Sequence, residues 1–71
     1  MYNCLRQLRK ERSWSQRTLA ELLEVSRQTV NAIEMDKYDP SLPLAFKVSE
    51  IFELNIEDIF NPHRDPKDMI D

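Results

Sequence analysis

Apolar residues recur three or four positions apart through most of this chain, and capping or turn residues break the pattern at short intervals. No stretch carries the strict alternation of a half-buried strand, so the expectation is an all-α fold. Leu5 and Leu8 mark the inner face of a first helix over residues 3–12. Ser15 is placed to cap a second helix over 16–23, with Trp14 and Leu19 positioned as a hydrophobic staple at its entry. Ser26 caps a third helix over 27–35. Residues 36–40 read as a loop, because Pro40 disfavours helical geometry at Asp39. Ser41 caps a fourth helix over 42–53, which tolerates Pro43 in its first turn and carries the stripe Leu44, Ala45, Val48, Ile51 and Phe52. Asn55 caps a short fifth helix over 56–60, where Glu57 and Asp58 suit the positive end of the helix dipole. Residues 1–60 thus read as one domain and residues 61–71 as a C-terminal tail.

The segment 16–34 is the most informative. Its two short helices are joined by a break too tight for a loop. Leu19, Ala20, Leu23, Val25, Val30 and Ile33 fall where two steeply crossing helices must touch. Polar residues fill the outer face of the second of the two. This is the pattern of a helix-turn-helix, whose second helix can enter the major groove of DNA.

Charge refines the picture. The chain has 71 residues and a net charge of −3, which argues mildly against nucleic acid. The distribution argues the other way. Residues 1–37 hold seven Lys/Arg against five Asp/Glu, whereas residues 38–71 hold three against eight. Arg6, Arg9, Lys10 and Arg12 all sit on the first predicted helix. Such a split suits a protein that docks DNA with one half, and equally suits two ordinary solvated faces. One cysteine excludes an internal disulfide, and no apolar run reaches the ~20 residues that cross a bilayer. With nothing like a signal peptide at the start, the expectation is a cytoplasmic protein without membrane contact.

Enzyme chemistry finds little support. Cys4 and His63 stand at opposite ends and make neither a nucleophile–base set nor a zinc site. The chain has no glycine, hence no glycine-rich phosphate loop. No cofactor or metal is expected. Cys4 reads as a small, semi-buried apolar residue.

Taken together, Leu5-Arg6-Gln7-Leu8-Arg9-Lys10-Glu11-Arg12, Trp14-Ser15-Gln16, Leu19-Ala20, Val25-Ser26-Arg27-Gln28-Thr29-Val30, Ile33-Glu34, Lys37-Tyr38, Pro40-Ser41-Leu42 and Ile56-Glu57-Asp58-Ile59-Phe60 resemble the small Cro/CI-type, or XRE-like, helix-turn-helix regulators. The resemblance covers residues 3–60. It implies a compact five-helix bundle of the lambda-repressor-like type that binds double-stranded operator DNA as a homodimer. The matching positions Ser26, Arg27, Gln28, Asn31 and Ala32 are then expected at base edges or flanking phosphates. Their chemistry agrees: Arg pairs with guanine O6 and N7, Gln or Asn with adenine N6 and N7, and an Ala methyl can meet the thymine methyl. Gln16 opens the second helix, where unpaired N–H groups attract a phosphate. The family also uses this Gln to brace the recognition helix. Arg9, Lys10, Lys37 and Tyr38 are further phosphate candidates. For Arg9 the resemblance favours a structural alternative, a buried pair with Glu34.

The family often places glycine at helix ends where this chain has Ser13, Glu24, Asp36 and Glu53. A left-handed backbone clashes with a side chain, so these residues are unusual there, and positive φ is expected at Glu24. Ile56, Ile59 and Phe60, with Met69 and Ile70 of the tail, exceed what a small core needs and are expected at a dimer interface. The alternative to a DNA-binding regulator, which is expected to repress, is an antitoxin-like or adaptor module whose acidic half binds a protein partner.

Overall fold

The structure is a computed structural model, and it describes residues 1–61. The tail positions 62–71, with Met69 and Ile70, lie outside the described residues. Five helices follow in order: α1 (Leu5–Glu11), α2 (Gln16–Leu23), α3 (Arg27–Glu34), α4 (Leu42–Phe52) and α5 (Ile56–Ile59). Among the described residues, the only strand-like pairing is one antiparallel bridge between Asn3 and Phe60.

Capping chemistry sets the helix starts. Ser15, Ser26 and Ser41 each take extended backbone geometry, and each accepts a hydrogen bond from the N–H three residues on. Each cap satisfies one of the N–H groups that the first helical turn leaves without a partner. Asn55 has the backbone geometry of a cap, but its side chain makes no cap bond. Its carbonyl instead accepts from the Asp58 N–H at 2.9 Å.

The outermost helices are shorter than their patterns suggest, for a tertiary reason. Asn3 pairs with Phe60, the Cys4 N–H donates to the Ile59 carbonyl at 3.0 Å, and Asn61 N–H donates to Tyr2 O at 2.9 Å. This pairing holds both segments extended, so α1 begins at Leu5 and α5 ends at Ile59. The Asn3 side chain then works twice. Its Oδ1 accepts from the Leu5 N–H at 3.0 Å, and its Nδ2 donates to the Ile33 carbonyl near the end of α3 at 2.9 Å.

All four positions where glycine is missing adopt left-handed geometry: Ser13 at φ 58°, Glu24 at 60°, Asp36 at 61° and Glu53 at 56°. Glu24 and Glu53 close α2 and α4, and the N–H of Val25 reaches back to Ala20 O at 3.0 Å in the manner of a Schellman end. The backbone path demands the conformation, and each side chain costs on the order of 1–2 kcal/mol there.

The core is built from Leu5, Leu19, Ala20, Leu23, Val30, Ile33, Ala45, Val48, Phe52, Ile59 and Phe60, all buried. Trp14 stands half-buried at its edge, with its ring centroid 5.5 Å from that of Phe52. Full burial of each large aliphatic or aromatic side chain contributes about 1.5–3 kcal/mol, so this cluster carries the fold. α2 packs on α3 and α4, α1 packs on α3, and α4 packs on α5. That arrangement buries one side of α3 and turns the other outward.

Ile59 and Phe60 are 2% and 4% exposed, which corrects their expected place at a dimer interface. The bridge to Asn3 folds the end of α5 back over the core, and both side chains are consumed there. Only Ile56 of the three remains partly exposed. Exposed apolar side chains on α4 include Leu42 at 64% and Phe46 at 53%.

Candidate nucleic-acid interface

α3 is amphipathic at close range. Val30 and Ile33 are buried, while Arg27, Gln28 and Asn31 share one open concavity on the opposite side. Arg27 and Gln28 make no hydrogen bond or ion pair among the described residues, so their donors and acceptors face solvent. Asn31 is exposed but held on one side: its Oδ1 accepts from Gln16 Nε2 at 3.1 Å. Ser26 has a different duty. Its Oγ accepts from the Thr29 N–H at 3.1 Å and lies 2.9 Å from Thr29 Oγ1, so the hydroxyl is committed to the cap. Ala32 is half-buried, and its carbonyl accepts from the Lys37 N–H at 2.9 Å.

Behind this face lies a polar hub. Arg9 Nε and Nη2 meet Glu34 Oε2 and Oε1 at 2.7 and 3.0 Å, a two-pronged pair, and Arg9 Nη1 donates to the Trp14 carbonyl at 2.8 Å. The side chains of Arg9 and Glu34 are 10% and 2% exposed. The hydrogen bonds that Arg9 donates to Glu34 push its guanidinium pKa above the ordinary value, outweighing the opposing effect of burial. Gln16 Nε2 completes the hub by donating to Glu34 Oε1 at 3.1 Å. The hub ties α1, α2 and α3 together at one point.

The geometry sorts the basic residues, which charge alone could not do. Arg9 is buried with all its contacts directed inward, which corrects its expectation as a phosphate contact. Arg12 is also structural. Its guanidinium lies 4.7 Å from the Phe52 ring centroid and 5.7 Å from that of Trp14, and it donates to the Phe52 carbonyl at the end of α4 at 3.2 Å. There it offsets the negative pole of the helix. Lys10, Lys37 and Tyr38 are exposed, the last two on the loop after α3. Arg6 was not among the expected phosphate contacts. It is exposed one turn before Arg9 and lines the same cleft as Gln16 and Asn31. The i, i+3 spacing from the paired Arg9 was the available signal.

At the start of α2, the Ser15 hydroxyl accepts from the Thr18 N–H at 3.0 Å and the Ser15 carbonyl from Leu19 N–H at 3.1 Å. The N–H groups of Gln16 and Arg17 precede those donors and open the helix, where an anion is favoured. Both hydrogens of Gln16 Nε2 are engaged in the hub. A phosphate gripped at Gln16 is therefore met by backbone N–H rather than by the side-chain amine.

A helix-turn-helix family model matches residues 5–59, which include every helix of the fold. The chain belongs to the XRE-like helix-turn-helix transcriptional regulators. It is 53% identical over 60 residues to an uncharacterized HTH-type transcriptional regulator of Methanocaldococcus jannaschii, a match that spans 84% of this chain and 91% of that one. Identity is 45% over 60 residues to the uncharacterized HTH-type transcriptional regulator YgzD of Bacillus subtilis, with the same coverage of 84% and 91%. The fold is similar to the crystal structure of a hypothetical transcription factor, NHTF, from Neisseria, with a TM-score of 0.70 at 23% identity over 94% of this chain and 76% of that one. In this XRE-like chain, no described residues gather into a candidate metal site, and no described helix is long and apolar enough to cross a membrane. Cys4 is partly buried, its Sγ donates to the Asp58 carbonyl at 3.4 Å, and burial pushes its thiol pKa up, which opposes formation of a reactive thiolate.

Proposed function

We infer that this protein is a sequence-specific repressor that lays α3 in the major groove of double-stranded DNA. The observation that carries the reading is the outward convergence of Arg27, Gln28 and Asn31 on one open face of α3, backed by a helix side that is locked in the core. Arg27 and Gln28, in the first turn, lead into the groove; Asn31 follows one turn later. Ser26 acts by orienting that first turn, and Ala32 offers a methyl at the groove wall. Around them, phosphates meet the N-terminus of α2 at Gln16, together with Arg6, Lys10, Lys37 and Tyr38. Occupying an operator needs no catalysis, and repression by exclusion needs no further surface. The reading makes residues 1–60 the working domain and the cytoplasm its place of action.

Operator binding as a dimer is part of the same reading. A second copy seats on the α4–α5 side, where exposed Leu42 shares a concavity with half-buried Ile56 and exposed Phe46 follows one turn along α4. Two-fold symmetry then places half-sites about 34 Å apart along the duplex. Light scattering at high concentration is expected to give twice the chain mass, and Phe46→Glu to return the monomer.

Selection from a library of randomised duplexes in excess competitor DNA, followed by sequencing, tests the proposal. An enriched motif with two-fold symmetry is expected. Retention without any enriched motif would leave only phosphate attraction, and no retention would favour the protein-interaction reading.

A further inference from the structure

We propose that Met35, the C-cap of α3, reads the C5-methyl group of a thymine beside the base met by Asn31. This rests on the reading above that α3 enters the major groove. Met35 is 55% exposed, an apolar side chain on the polar side of the helix. It opens onto the cleft where α1, α2 and α3 meet, whose other lining residues, Arg6, Arg9, Gln16, Asn31 and Glu34, are all polar or charged. The core cluster does not include it, so its apolar surface stays in contact with water. The Met35 N–H donates to the Asn31 carbonyl at 2.9 Å, which keeps this residue in helical register. Register sets the face: Gln28, Asn31 and Met35 follow one another at i, i+3 and i+7, one row along the helix.

Side-chain direction sets the reach. A long helical side chain leans back toward the helix N-terminus, over the turn before its own Cα. The favoured rotamers therefore carry Met35 toward Asn31 and the end of α3 that leads into the groove. Three rotatable bonds and a polarizable thioether let it settle against a small, uneven apolar partner. The major groove offers such a partner at one kind of base. Guanine, adenine and cytosine present hydrogen-bonding groups there, whereas thymine adds the C5-methyl group. A thioether against N7, O6 or an N–H₂ group takes water from a polar atom and returns no hydrogen bond of comparable strength. Thymine is thus selected by what Met35 buries and not by what it bonds.

The test compares the motifs selected from randomised duplexes by the wild-type chain, Met35→Ala and Met35→Leu. Met35 is exposed and outside the core, so both variants are expected to keep the wild-type melting temperature. One thymine preference is expected to disappear in Met35→Ala and to persist in Met35→Leu, which keeps an apolar side chain. At that position, deoxyuracil in place of thymine removes the methyl group alone. Wild type is expected to bind the deoxyuracil duplex about three- to fivefold more weakly, and Met35→Ala to bind both duplexes alike. With guanine opposite, 5-methylcytosine is expected to bind wild type more tightly than cytosine does, which separates the methyl from thymine O4 as the group read. Equal binding of thymine and deoxyuracil by wild type overturns the inference. So does a Met35→Ala motif identical to that of wild type, or an affinity lowered equally on every duplex, the mark of a backbone contact. In each of these cases a preference lost in Arg27→Ala keeps the groove reading intact. Absence of any wild-type motif removes that reading and this inference with it.

Discussion

Two sets of polar side chains leave α3 and its neighbours in opposite senses. Glu34, Arg9 and Gln16 satisfy one another inside the molecule, with the Arg9–Glu34 pair nearly closed to solvent. Arg27 and Gln28 satisfy nothing inside it. The first set must exist for the helices to meet at the right angle, since a buried charge is tolerated only when paired. The second set contributes little to folding and is free to be spent on a ligand. Asn31 stands at the border, one end held by the hub and the other turned out. A charged residue on this surface therefore says nothing of DNA until its partners are known, and the contrast between Arg9 and Arg27 makes the point within one small domain.

The largest expected effect breaks the hub. Arg9→Ala or Glu34→Ala leaves an uncompensated buried charge and is expected to destabilise by about 3–5 kcal/mol. That is enough to unfold much of a 71-residue chain, and it is read as loss of the cooperative transition in thermal or urea melts followed by circular dichroism. A melting temperature unchanged in either variant contradicts the account. Next comes Arg27→Ala, which is expected to cost about 1–3 kcal/mol in discrimination between a selected duplex and a scrambled one, measured by titration at fixed salt. Smaller still, Arg6→Ala is expected to weaken binding to all duplexes alike and to lower the slope of log affinity against log salt by about 1. Arg12→Ala provides the contrast, lowering stability with that slope unchanged.

The smallest effects concern the left-handed positions. Glu53→Gly relieves backbone strain and is expected to raise stability by no more than about 1 kcal/mol, because glycine also loses more entropy on folding. Glu24→Gly is expected to gain less, since Glu24 also pairs with Lys47 Nζ at 2.6 Å. Lys47 holds the exposed Glu24 carboxyl pKa below its ordinary value, by its hydrogen bond first and its charge second. The folded state thus favours the ionised form, so this small stabilisation is present above the ordinary carboxylate range and is lost as pH falls through the depressed pKa. Acid melts are expected to widen the small advantage of Glu24→Gly over wild type, because acid removes the pair with Lys47 from wild type alone.

Much of this was legible in the sequence because the signals are local. Ser15 and the apolar spacing gave α2 its observed bounds, and the serine caps of α3 and α4 held as expected. The four unusual helix ends were marked by glycines the family has and this chain lacks. What escaped is what depends on distant partners. The bridge between Asn3 and Phe60 joins residues at opposite ends of the fold, so neither the shortened α1 and α5 nor the burial of Ile59 and Phe60 could be read locally. The basic residues of α1 look alike in one dimension, yet Arg9 is buried against Glu34, exposed Arg12 is held over the Trp14 and Phe52 rings, and Arg6 opens to the cleft of Gln16 and Asn31. Ser26 has the chemistry of a reader and the position of a cap, and its bond to the Thr29 N–H commits it to the cap.

The most direct measurement takes one variant, Arg27→Ala, through two readouts on the same sample. The central claim is that the outer row of α3 reads DNA while the hub holds the fold. It predicts a melting temperature indistinguishable from wild type and a loss of preference for the selected duplex over a scrambled one. An unchanged preference, with the fold intact, would contradict it.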